Sequence, residues 1–180
     1  MIIYYTDNFA GSREESRGLL EKAITVHTGD ENKAKTLSGA LKKGEHGKPY
    51  IEGFSCFSIS HSGGIWAVLV ADRECGLDIQ LSRKCDMKAI SSRWFAPEDA
   101  ANITGEDAFF RVWTRREALT KALGSTVYDP DLPAVLTGEA DIDGKRYFIS
   151  DIRLPGMPEL YAAVCTCDRG NVSELSFVCL

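Results

Sequence analysis

Apolar positions open the chain as a short run, "MIIYY", which predicts a strand. They then recur at helical spacing, with Leu19, Leu20, Ala23 and Ile24 forming one stripe. This predicts a helix over roughly Arg13 to His27, capped by Ser12 and carrying Glu14 and Glu15 in its first turn. A second helix is predicted over "DENKAKTLSGALKKG", ending at Gly44 after Lys42 and Lys43, and "EHGKPY" follows as a loop. From Phe57 the period shortens. "FSIS" alternates, "SGG" turns, "IWAVLVA" is a continuous apolar run suited to a strand covered on both faces, and "DREC" turns into "GLDIQL". The expectation is an antiparallel meander. A polar helical segment starts at Asp86, and "APED" opens a further helix with Pro97 at its first position. The strongest helix is "TGEDAFFRVWTRREALTKALG", with Thr104 as cap and Gly124 as stop. Phe109, Val112, Leu119 and Leu123 cluster on one stripe of it, and Glu117 and Lys121 flank that stripe one turn apart. The remainder, "DGKRYFISDIRL", "LYAAVCTC" and "VSELSFVCL", reads as strands.

The order helices, meander, helix, strands predicts an α+β fold of two similar α/β halves with antiparallel sheets, residues 1–82 and 83–180. The 180 residues, 44% hydrophobic and 26% charged, suffice for one domain or two small packed ones. A net charge of -5 argues against general nucleic-acid binding, which needs a basic surface, so any phosphate site must be local. There is neither a basic leader with an apolar core nor an apolar run of about 18 residues. A soluble, cytoplasmic protein without membrane attachment is expected. The cysteines at 56, 75, 85, 165, 167 and 179 lack metal-knuckle spacing and read as buried reduced thiols.

Three features carry possible chemistry. Asp78 and Gln80 share one side of their strand. Glu117 and Lys121 lie one turn apart on the long helix. Asp78, Gln80 and Glu117 together offer only hard oxygen ligands, the preference of Mg²⁺, which takes one or two protein carboxylates plus waters and substrate phosphates. Arg17, Lys48, Ser60, His61 and Lys121 form a set of anion-binding candidates. Each also has a plain structural reading: an i,i+4 pair such as Glu117 and Lys121 can be a solvated helix pair, Asp78 can bond a turn, and His61 can cap a backbone carbonyl.

The order of these features resembles that of the 4'-phosphopantetheinyl transferases of the Sfp type. "GKPY" (47–50), "FSISHSG" (57–63), "GLDIQ" (76–80) and "VWTRREALTKALG" (112–124) look like that family's G-K-P, F-N-I-S-H-S, G-[IV]-D-[IV]-E and W-[ST]-x-K-E-[SA]-x-x-K motifs. "SRGLLEKAI" resembles its early R-x-L-L helix and "LYAAVCTCDRGNVSELSFVCL" its closing strand pair.

The resemblance implies two halves related by a pseudo-twofold, with the active site in the cleft between them. It implies transfer of phosphopantetheine from coenzyme A to a serine of an acyl or peptidyl carrier protein, with release of adenosine 3',5'-bisphosphate by a monomeric enzyme. By the same resemblance Asp78 and Glu117 would hold Mg²⁺, with Gln80 where relatives carry a third carboxylate. Lys121 would neutralise phosphate charge and Glu117 would accept the serine proton, directly or through water. Arg17 and His61 are implied for the 3'-phosphate, Ser60 for the pyrophosphate, and Lys48 with Pro49 for the adenine side. Arg116 stands where the family has lysine, and the basic residues relatives place before the Arg17 helix are missing. The rival reading is a catalytically impaired module that binds coenzyme A or a carrier protein. Arg83, Lys84, Lys88 and Arg93 are a candidate surface for an acidic carrier, with Met87 and Trp94 as anchors, or else a solvated face balanced by Asp86, Glu98 and Asp99.

Overall fold

The computed structural model describes residues 1–129, 131–167 and 174–180. The chain opens with β1 (Ile2–Thr6), then α1 (Arg13–Thr28) and α2 (Glu31–Gly39), a two-residue pairing of β2 (Lys42–Lys43) with β3 (Pro49–Tyr50), and the hairpin β4 (Cys56–Ser62) and β5 (Ile65–Ala71). After β6 (Cys75–Leu81) come α3 (Met87–Trp94), α4 (Pro97–Ala101) and the long α5 (Glu106–Leu123). The strands β7 (Glu139–Ile142), β8 (Lys145–Asp151), β9 (Leu160–Thr166) and β10 (Ser176–Cys179) close the chain.

Two four-stranded sheets result, ordered β10-β1-β5-β4 and β6-β9-β8-β7. Their inner faces pack together: Ile3, Ala67 and Leu69 of the first meet Leu77, Ile79 and Val164 of the second. The outer face of the first sheet, with Tyr4, Trp66 and Val68, takes Leu20, Ala23 and Ile24 of α1. The outer face of the second takes Phe109, Val112 and Leu119 of α5, as the predicted stripe requires. The molecule is thus helix, sheet, sheet, helix. Each fully buried aliphatic side chain at these contacts contributes about 1.5–3 kcal/mol against exposure.

The mixed α+β architecture with antiparallel pairing is as expected, with several corrections. β6 does not continue the β4–β5 meander: it pairs antiparallel with β9, from Cys75 opposite Thr166 to Leu81 opposite Leu160. Sheet membership therefore runs across the expected boundary at residue 82, because Asp78's strand lies in the second sheet and β10 returns to pair parallel with β1. The tail's two strands lie in different sheets, and residues 168–173 between them lie outside the described residues. α2 ends at Gly39, not Gly44, because Lys42 and Lys43 pair with Tyr50 and Pro49. α5 starts at Glu106 behind Gly105, and Thr104 makes no cap; Glu106 and Asp107 supply the first-turn negative charge.

β4 is covered on both faces: Phe57 joins the core with α1, Ser58, Ser60 and Ser62 are buried on the opposite side, and only His61 of the later positions is exposed. Asp99, expected on a solvated face, is fully buried and accepts the N–H groups of Val135 (2.9 Å) and Leu136 (3.1 Å). Arg115 donates to the carbonyls of the same two residues and, bidentate, to Asp151, so this peptide is held from both sides. The cysteines are all free; Cys75 and Cys165 are buried as expected, whereas Cys56 and Cys179 are exposed. Among the described residues no helix is long and apolar enough to cross a membrane.

Candidate active site

Because side chains alternate along β6, Leu77 and Ile79 enter the inter-sheet core while Gly76 and Asp78 face α5. Gly76 makes the close approach of helix and strand possible. A Cβ there would lie 1.9 Å from the Ala118 carbonyl oxygen and 2.6 Å from the Ala122 nitrogen. The result brings Lys121 onto Asp78, Nζ to Oδ1 at 2.7 Å. Ser60, from the other sheet, donates to the same Oδ1 at 2.8 Å, and Lys121 also donates to Ser60 Oγ at 3.0 Å. Three residues that sequence reasoning placed in separate motifs thus form one closed triangle.

Asp78 is buried, and its second oxygen, Oδ2, has no hydrogen-bond partner. A buried carboxylate oxygen left unpaired is costly, so it points to a missing cation or water. Glu117 stands beside it, half-buried on α5. Burial first, and then the negative charge of Asp78, push the Glu117 carboxyl above its ordinary pKa, against the opposing pull of Lys121 and Arg83. A positive ion between the two acids would relieve both effects. Among the described residues no group of three or more His, Cys, Asp or Glu is assembled for a metal. The two carboxylates therefore fit an ion that completes its shell with water and substrate oxygens, as Mg²⁺ does.

Since the folded-state pKa of Glu117 is raised, the neutral form is the one folding favours. Its contribution is full below the unfolded value of about 4.3 and is lost as pH rises through the folded value. Urea unfolding of the metal-free protein across this range should show the native chain losing stability relative to Glu117→Gln as pH increases. Parallel pH profiles for the two would refute the assignment.

Gln80 donates through Nε2 to Ser62 Oγ (3.2 Å) and to the Leu81 carbonyl (2.6 Å). Its amide nitrogen is committed there, which leaves the oxygen as its possible ligand end. Lys48 Nζ donates to the Ala122 carbonyl (2.7 Å) and the Cys75 carbonyl (3.3 Å), joining the C-terminal end of α5 to the start of β6. A cation at that helix end is electrostatically favoured. Lys48, Pro49 and Lys121 line one cavity of about 260 Å³ together with Ser58 and Thr120. Arg17 and His61 have other contacts: Arg17 donates to the Ser38 carbonyl at 3.3 Å, and the exposed His61 ring packs against Phe9. Arg116 is fully buried, over the Phe95 ring and donating to the Asp129 carbonyl. A larger cavity of about 750 Å³, lined by Ser82, Arg111, Thr114 and Tyr161 among others, lies toward the N-terminal end of α5; Asp78, Glu117 and Lys121 do not line it.

Sequence reasoning passed over Ser58 and Ser62, whose hydroxyls, like that of Ser60, accept backbone N–H groups of β6. The signal was present: serines at 58, 60 and 62 repeat with the period of a strand in a segment otherwise destined for the interior.

The site thus sets a strand acid, Asp78, against Lys121 and Glu117 of the helix packed on it, with Ser60 reaching in from the other sheet. Residues 74–148 match the family model of the 4'-phosphopantetheinyl transferase superfamily. That segment holds Asp78, Gln80, Glu117 and Lys121, and the match agrees with the resemblance of its motifs. Among curated relatives, the 4'-phosphopantetheinyl transferase AcpT of Salmonella typhi is 33% identical over 109 residues, 52% of this chain and 57% of that protein. The 4'-phosphopantetheinyl transferase gsp of Aneurinibacillus migulanus is 30% identical over 96 residues, 50% of this chain and 40% of its own. AcpT of Escherichia coli K12 is 32% identical over 95 residues, 47% and 49% of the two chains. The chain thus spans about half the length of the curated relatives it matches.

Proposed function

We propose that this protein transfers 4'-phosphopantetheine from coenzyme A to a serine of an apo acyl or peptidyl carrier protein, as an Sfp-type transferase requiring Mg²⁺. The observation that carries the reading is the Asp78, Lys121 and Ser60 triangle with its unpaired Asp78 oxygen beside Glu117. The carrier serine oxygen would form a bond to the phosphorus that bears pantetheine. The bond from that phosphorus to the leaving phosphate breaks, and adenosine 3',5'-bisphosphate departs with the electron pair. Glu117, directly or through water, takes the serine proton. Lys121, part-exposed and lining the 260 Å³ cavity, sets its ammonium against phosphate charge. Asp78 and Glu117 would hold Mg²⁺, with the Gln80 oxygen as a neutral third candidate, and the ion would supply charge neutralisation on the pyrophosphate.

Lys48 and Pro49 would receive the adenine side from the same cavity, while Ser60 would contact the pyrophosphate and Arg17 and His61 the 3'-phosphate. The exposed Arg83, Lys84, Lys88 and Arg93 would face the carrier. Met87 and Trp94 are part-buried against the C-terminal core, and Trp94 also packs on the exposed Tyr128 ring, so they serve the core and the rim of that surface together. A monomer acting in the cytoplasm completes the reading.

Incubation with coenzyme A, Mg²⁺ and a panel of apo carrier proteins should add the phosphopantetheine mass to at least one carrier. Measurable coenzyme A binding with no carrier gaining mass would replace the transferase with a binding module.

A further inference from the structure

β4 is the edge strand of one sheet and β6 the edge strand of the other, so each presents unpaired backbone groups to its neighbour. The two edges do not form a backbone ladder. Instead Ser58 Oγ accepts from Leu77 N at 3.0 Å, Ser60 Oγ from Ile79 N at 3.1 Å, and Ser62 Oγ from Leu81 N at 2.9 Å. All three bonds span the same 19 residues of sequence. Both strands therefore run in the same direction, and the two-residue repeat of side chains on β4 matches the two-residue repeat of N–H groups on the edge of β6.

Such a ladder fixes register. A slip of two residues would leave one buried N–H without an acceptor and set Ser58 or Ser62, rather than Ser60, beside Asp78. Each hydroxyl that accepts an N–H keeps its own proton to donate. Ser60 spends that proton on Asp78 Oδ1, and Ser62 accepts in addition from Gln80 Nε2.

We propose that Ser58 and Ser62 are positioning residues: with Ser60 they form a hydroxyl ladder that registers one sheet against the other and so fixes where Asp78 meets Lys121. Neither touches the Asp78 carboxylate. They act through the backbone of Leu77 and Leu81, the immediate neighbours of Asp78 and Gln80. The consequence for transfer rests on the reading proposed above, whereas the ladder itself does not.

The test compares Ser58→Ala and Ser62→Ala with Ser58→Thr and Ser62→Thr, which keep the hydroxyl. Amide hydrogen exchange should speed up about tenfold at Leu77 in the first alanine variant and at Leu81 in the second, as the loss of one buried hydrogen bond predicts. The Asp78 carboxyl carbon resonance should shift in both alanine variants. Transfer should fall about tenfold in kcat in both alanine variants, with KM for coenzyme A little changed in Ser62→Ala, which does not line the 260 Å³ cavity, since a misplaced carboxylate costs reaction geometry more than binding. The threonine variants should restore all three readouts. Should an alanine variant not fold, Ser58→Cys or Ser62→Cys, near in size but a weak acceptor, gives the same readouts. Native exchange rates at Leu77 and Leu81 in folded variants would overturn the ladder. Faster exchange with an unmoved Asp78 resonance would overturn the positioning role. If no carrier is modified at all, the transferase reading fails by itself, and exchange and resonance still decide this proposal.

Discussion

Replacing Asp78 by alanine is expected to cut phosphopantetheine transfer by about 10³-fold while the protein stays folded, in line with the loss of one preorganised electrostatic group at a reacting centre. Asp78 is the hub of the site: its Oδ1 takes both Ser60 and Lys121, and its buried Oδ2 has no hydrogen-bond partner. Without it Glu117 would be the only carboxylate left for Mg²⁺, and Lys121 would lose the partner that holds its ammonium in place. Stability should change little, because the substitution removes an unsatisfied buried oxygen along with the ion pair, and the two effects oppose one another. Asp78→Asn separates charge from shape: it keeps the volume and an acceptor but removes the negative charge, so it should be nearly as inactive. The measurements are carrier mass increment over time and Mg²⁺ binding by calorimetry. Native activity in either variant would remove Asp78 from the mechanism, and unchanged Mg²⁺ affinity would remove it from the metal site.

The residues at this hub were legible one by one, each for a local reason. An acid between Leu77 and Ile79 stands out in an apolar strand, and a glutamate and lysine one turn apart fall on the flank of a strong helix stripe. α1 and its Ser12 cap were read nearly to the residue, since capping and apolar spacing are properties of a short window. Pairing between distant segments is not such a property. Nothing within β5 and β6 says that β6 leaves its neighbour to pair with β9, where Asp78 meets Ala163, 85 residues further along the chain. Ser58 and Ser62 of β4 were passed over for the same reason. Alternation locates one polar face, but whether that face meets water or another sheet's unpaired N–H groups depends on a strand the local sequence does not contain. Asp99 belongs with them: charged and near a helix start it reads as solvated, and only the fold brings the N–H groups of Val135 and Leu136 to it.

Gly76→Ala should lower the thermal midpoint by about 6–12 °C, the equivalent of about 3 kcal/mol for a chain of this size. The added Cβ would sit 1.9 Å from the Ala118 carbonyl oxygen, 2.6 Å from the Ala122 nitrogen and 2.9 Å from the Ala118 carbonyl carbon. All three are backbone atoms, so no side chain can swing aside. The helix must move away from the strand by about an ångström, since protein interiors pack without room to absorb such a contact. α5 carries Phe109, Val112 and Leu119 into the core of the second sheet, so the shift loosens that packing along much of its length. It also separates Lys121 from Asp78 and strains the Lys48 bridge between the Cys75 and Ala122 carbonyls. Transfer should accordingly fall more than stability alone explains when it is assayed well below the new midpoint, where the variant is folded. Gly76→Ala with a midpoint within about 2 °C of the native protein would show that helix and strand do not make the close approach described. A large loss of stability with native kcat in the folded variant would instead show that the approach matters for packing and not for the placement of Lys121.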